Sequence, residues 1–139
     1  MKKAIIVFQN KNNSTKKYGE EIASFLKKRG LVAELIPINN FEPNKLKGAD
    51  YLLVSGWENG SIFSASQPDS EWINFVKNLP TLNGIKTALF TNSKLFAGRM
   101  IKRMKKYHNN KPDQLEFAFK SSNGSLSISD QLTLNSFID

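Results

Sequence analysis

Three polar stretches of the 139-residue chain carry residue types suited to ligand chemistry. The first, Asn10-Lys11-Asn12-Asn13-Ser14-Thr15, lies between an apolar run and an amphipathic spacing. A helix opening there presents unpaired N–H groups and the positive end of its dipole, a combination that binds anions. Ser14 and Thr15 add hydroxyl donors, no carboxylate opposes them, and Lys11 either adds a charge or points into water. Ser14 has a second reading, as a helix N-cap without a ligand. The second stretch is Gly56-Trp57-Glu58-Asn59-Gly60. Trp57 follows no apolar periodicity, so its indole either stacks on a bound planar group or closes over the next helix. The third, Thr91-Asn92-Ser93, offers backbone and side-chain hydrogen bonds.

Other chemistries are closed. The chain has no cysteine and one histidine, His108. Thiolate nucleophiles, iron–sulfur clusters and cysteine-built zinc sites are excluded, and a His-centred acid–base mechanism is weakened. No catalytic residue and no metal ligand emerges, so the three stretches are read as binding elements.

The elements that position them alternate along the chain. Ala4-Ile5-Ile6-Val7-Phe8 is a continuous apolar run, the pattern of a strand buried on both faces. Tyr18, Ile22, Phe25 and Leu26 fall on one helical face, and Lys27-Lys28-Arg29-Gly30 reads as a basic last turn with a glycine stop. A second strand is expected over 31–38, with Pro37 favouring an edge position. At most a short helix fits 39–50, and a third strand covers 51–56. A helix marked by Trp72, Phe75, Val76 and Leu79 stops at Pro80. A fourth strand follows over 85–90, then a strongly amphipathic helix over 97–107, a fifth strand over 115–119 and a short terminal helix over 131–138. Such alternation predicts one domain, 1–139, with a five-stranded parallel sheet and helices on both faces. The expected strand order is 2-1-3-4-5, with ligands at the carboxyl ends of strands 1 and 3. A phosphorelay receiver of that topology needs carboxylates at both strand ends. Here they read Phe8-Gln9-Asn10 and Val54-Ser55-Gly56, so that class is excluded.

Twenty Lys and Arg against twelve Asp and Glu give a net charge of +8. No acidic residue occurs between Glu71 and Asp113, and Arg99, Lys102, Arg103, Lys105 and Lys106 form a basic face on the helix over 97–107. That face is either simply solvated or a dock for an acidic partner protein. Nucleic acid fits the sign, but no recognisable binding module or aromatic platform accompanies it. No apolar stretch approaches the length of a membrane span, and a cytoplasmic protein is expected.

The loop Asn10-Lys11-Asn12-Asn13-Ser14-Thr15, the segment Leu52-Leu53-Val54-Ser55-Gly56-Trp57-Glu58-Asn59-Gly60 and the phrase Gly84-Ile85-Lys86-Thr87-Ala88-Leu89-Phe90 together resemble the flavodoxin family over residues 2–107. Positions usually Thr and Gly in that family are Asn12 and Asn13 here; Asn tolerates a left-handed backbone better than most residues. The resemblance implies a flavodoxin-like three-layer sandwich and non-covalent FMN. Residues 10–15 would hold the phosphate, residues 56–60 with Trp57 would flank the ring, and Thr91, Asn92 and Ser93 would meet its pyrimidine edge. It also implies an electron carrier working between a reductase and an acceptor enzyme. Two alternatives stand beside it: an FMN-dependent NAD(P)H:quinone-type reductase, with residues 61–68 over the ring, and a cofactor-free interaction module of the same shape.

Overall fold

The computed structural model describes residues 1–9, 13–55, 70–91, 102, 106, 115–120 and 125–139. In chain order the elements are β1 (Lys3–Phe8), α1 (Asn13–Lys28), β2 (Val32–Pro37), β3 (Tyr51–Ser55), α2 (Ser70–Lys77), β4 (Lys86–Thr91), β5 (Leu115–Lys120) and α3 (Ile128–Ile138). Two 3-10 turns, Ile38–Asn40 and Pro43–Leu46, fill the β2–β3 connection. Lys102 and Lys106 are helical.

The sheet is parallel, in the order β2-β1-β3-β4-β5. The expectation of a five-stranded parallel sheet in the order 2-1-3-4-5 gives the strand order correctly and needs correction at its last member. Even pairing unites four strands, β2-β1-β3-β4: Lys3 faces Val32, Ala4 faces Tyr51 and Tyr51 faces Lys86, each in unbroken register. β5 joins β4 with a register shift between Leu89 and Thr91. It pairs on one side only, and an edge strand can slip or bulge where a central one cannot. Its sequence, Leu115-Glu116-Phe117-Ala118-Phe119-Lys120, also carries charge, unlike the continuous runs of β1 and β3.

Alternate strand residues feed two cores. Ala4, Ile6, Phe8, Leu53 and Phe90 pack with Tyr18, Ile22 and Leu26 of α1 and Leu134 and Phe137 of α3. Ile5, Val7, Leu52, Val54 and Leu89 pack with Trp72, Phe75 and Val76 of α2. Ile5, Ile6 and Val7 are fully buried, which is why β1 is apolar without alternation. Each such side chain contributes about 1.5–3 kcal/mol by leaving water.

Helix ends follow from local chemistry. Gly30 takes φ +88°, its N–H donates to the Lys27 carbonyl at 3.0 Å, and the Leu31 N–H reaches the Leu26 carbonyl at 3.1 Å. This Schellman closure is the stop read from the basic turn and glycine. α3 starts at Ile128, three residues before the expected boundary. Ser127 Oγ accepts from the Asp130 N–H at 3.0 Å, and the Asp130 carboxylate accepts from the Ser127 N–H at 3.4 Å, a capping box. The other end of α3 is held by Tyr51, whose hydroxyl donates to the Ile138 carbonyl at 2.7 Å, and by the Lys86 ammonium, 2.9 Å from the Phe137 carbonyl. A cation there also opposes the negative end of the helix dipole.

Candidate functional site

β1 lies between β2 and β3, and the crossovers on its two sides use opposite faces of the sheet: α1 packs on one, α2 and the 3-10 turns on the other. In an open parallel sheet the carboxyl ends of two such strands bound a crevice. α1 opens at this end. Its first residue is Asn13, so Ser14 lies inside the first turn rather than before it, and Thr15 is buried. The first turn itself has no acidic residue to offset the positive helix end.

A buried polar network joins the strand tips. Gln9 is 0% exposed and Ser55 1%. The Gln9 N–H donates to Ser55 Oγ at 2.9 Å, and the Trp72 indole N–H donates to the Ser55 carbonyl at 3.0 Å. The Gln9 side-chain amide donates to the Glu71 carboxylate at 3.2 Å. One serine therefore ties the end of β1 to the first turn of α2, and a buried glutamine carries the tie to a surface carboxylate. Buried polar atoms lose their hydration, so such partners fix the geometry of the segments that bear them.

Behind the mouth, the Tyr18 ring of α1 meets Phe90 of β4 edge to face, with centroids 5.7 Å apart. Burial pushes the Tyr18 hydroxyl well above its ordinary pKa, and the charge of Asp130 and a hydrogen bond to it push the same way. Tyr18 and Asp130, both buried, so link α1 to the start of α3.

Of the sequence-derived candidates, Asn13, Ser14 and Thr15 are brought to the same sheet end as Ser55 and Thr91, the last residue of β4. Asn10, Lys11, Asn12, Gly56, Trp57, Glu58, Asn59, Gly60, Asn92 and Ser93 lie outside the described residues. Sequence reasoning missed Gln9, Ser55, Glu71 and Trp72 as site-forming residues. The available signal was a serine closing an otherwise apolar run and a tryptophan whose N–H needs a buried acceptor. Of the basic residues expected on the helix over 97–107, Lys102 and Lys106 are helical and exposed, and Arg99, Arg103 and Lys105 lie outside the described residues. Among the described residues no group of three or more His, Cys, Asp or Glu is placed to hold a metal, and no helix is long and apolar enough to cross a membrane.

No protein-family model matches the chain, and no curated protein matches it in sequence. Solved structures do match. Oxidised flavodoxin 2 from Bacillus cereus is similar at TM-score 0.70 and 15% identity, over 98% of this chain and 95% of that one. The two-electron reduced flavodoxin of Megasphaera elsdenii gives TM-score 0.66 and 16% identity, over 96% of both chains. A flavodoxin from Streptococcus pneumoniae TIGR4 gives 0.64 and 18%, over 97% of this chain and 94% of that one. At these identities the likeness is one of fold.

Proposed function

We propose that this chain, which has the flavodoxin-like fold, binds FMN non-covalently at the carboxyl ends of β1, β3 and β4 and serves as an electron carrier between two redox proteins. The observation that carries the reading is the junction of β1 and α1: a helix start without a carboxylate, with a buried threonine in its first turn, beside the point where the strand order reverses. The donor set fits a phosphate monoester, since first-turn N–H groups and hydroxyls are what such an anion takes. FMN, when bound, would supply one-electron redox chemistry that no side chain of this protein offers.

In this reading Ser14 and Thr15 donate to the phosphate, with Asn10, Lys11, Asn12 and Asn13 shaping the turn that delivers it. Trp57 covers the ring, and Gly56, Glu58, Asn59 and Gly60 form the loop beside it. Thr91, Asn92 and Ser93 meet the ring's polar edge. The Gln9–Ser55–Trp72 network holds the strand tips from which the first two loops depart. The exposed Lys102 and Lys106, one helical turn apart in a basic run, favour an acidic redox partner.

Titration of the purified protein with FMN tests the reading. Saturable quenching of flavin fluorescence at micromolar concentrations is expected, and its absence overturns the proposal. Steady NAD(P)H oxidation by the loaded protein alone would replace the carrier with the reductase alternative.

A further inference from the structure

A cavity of about 470 Å³ lies between the 3-10 turns that follow β2 and one side of α2. Its apolar surface comes from Ile38, Phe41 and Phe75. The two rings meet edge to face with centroids 5.1 Å apart, and both line the cavity. The polar side is Glu71, Asn74 and Asn78. One N–H of the Asn78 side-chain amide donates to the Asn74 carbonyl at 2.8 Å, which leaves the amide oxygen as an acceptor and the second N–H as a donor. Volume, aromatic lining and a few convergent polar groups are the ordinary properties of a small-molecule site.

The charge of this cavity selects the ligand. The chain carries +8 overall, and each of the two grooves beside α1 sets two cations, from Lys27, Lys28 and Arg29, against one glutamate, Glu20 or Glu21. By contrast, among the described residues the charged side chain lining this cavity is a carboxylate, Glu71, and the buried Gln9 donates a 3.2 Å hydrogen bond to it. A carboxylate beside aromatic faces suits a flat cation, through an ion pair at one end and ring contact at the other.

We propose that this cavity binds a small aromatic cation, of the arylamidinium or arylammonium class. The inference stands on the cavity alone and holds whether or not FMN binds at the strand tips.

The test is a 1H–15N NMR titration of the full chain with benzamidine, with neutral benzamide and anionic benzoate as matched probes. Saturable shifts at about millimolar benzamidine are expected for a probe this small, confined to residues 38–43 and 70–78. Benzamide should bind about tenfold more weakly, and benzoate less still. Glu71→Gln, which keeps a partner for Gln9, should lower benzamidine affinity to the benzamide level without moving benzamide. Asn74→Phe, at an exposed helix position, should block both. Shifts scattered over the surface, benzoate binding as well as benzamidine, or no saturation by about 10 mM overturns the assignment.

Discussion

Replacing Ser55 by alanine isolates the tie between β1 and α2. The substitution removes one oxygen, the acceptor 2.9 Å from the Gln9 N–H, and leaves the Ser55 carbonyl bonded to Trp72. Both residues are out of water, so the freed N–H has no solvent to turn to. A buried donor left without an acceptor costs about 1–3 kcal/mol. With a urea m-value of about 2 kcal/mol/M for a domain of this size, a loss near 2 kcal/mol lowers the unfolding midpoint by about 1 M. Thr133→Ala is the control: it removes a 3.1 Å bond to the Ser129 carbonyl on an exposed face, and a change within about 0.5 kcal/mol is expected. The assay is urea unfolding followed by far-UV circular dichroism and by tryptophan fluorescence. The two probes must give one midpoint for the arithmetic to hold. If Ser55→Ala unfolds within about 0.2 M of the parent, the network contributes nothing and the account of the strand tips is wrong.

Other outcomes follow from the same structure. The Tyr18 hydroxyl titrates above its ordinary 10.0 in the folded chain, so above that pH the unfolded chain sheds a proton that the folded chain keeps. Stability is therefore complete below about pH 10 and falls beyond it by up to about 1.4 kcal/mol per pH unit from this group. Tyr18→Phe should flatten the difference between pH 9 and 11 in urea midpoints, and an unchanged alkaline slope refutes it. Ser127→Ala removes the acceptor of the α3 capping box and should cost about 1 kcal/mol, with faster amide exchange in the first turn of α3. Ser14→Ala with Thr15→Ala should weaken FMN by at least about tenfold, read by fluorescence titration, since bonds to a charged phosphate contribute about 1.5–3 kcal/mol each. Lys102→Glu with Lys106→Glu should slow encounter with an acidic redox partner and weaken its salt dependence, read by stopped flow.

The parts of the fold legible in the sequence are those whose signal is local. β1 and β3 declare themselves because burial on both faces removes alternation, and α1 does so because its apolar face and its Gly30 stop lie within one 18-residue window. α3 is less legible. Leu134 and Phe137 are buried, while Ile128 and Leu132 are 77% and 63% exposed, so its apolar residues do not trace one stripe. Its capping box also uses Asp130 where Glu or Gln is the usual signal. The even register of four strands and the shifted fifth depend on what neighbours each strand, which no single run encodes.

The same distinction divides the candidate site. A helix start suited to an anion is a local property, and the types of residues 13–15 are enough to propose it. The frame that would steady it is not local: Gln9 finds Ser55 46 residues away and Glu71 62 residues away, and those meetings exist only once β1 and β3 stand in register. The cavity lined by Phe41, Phe75 and Glu71 is of the same kind, since a 3-10 turn and a helix from distant parts of the chain make its walls. A glutamine that looks like the first residue of a polar loop thus serves both places, with its backbone on the strand tips and its side chain on the cavity's carboxylate. Gln9→Ala separates these roles. The backbone bond to Ser55 survives the substitution, while Glu71 loses this side-chain donor, so benzamidine binding should weaken, and an unchanged affinity refutes the link.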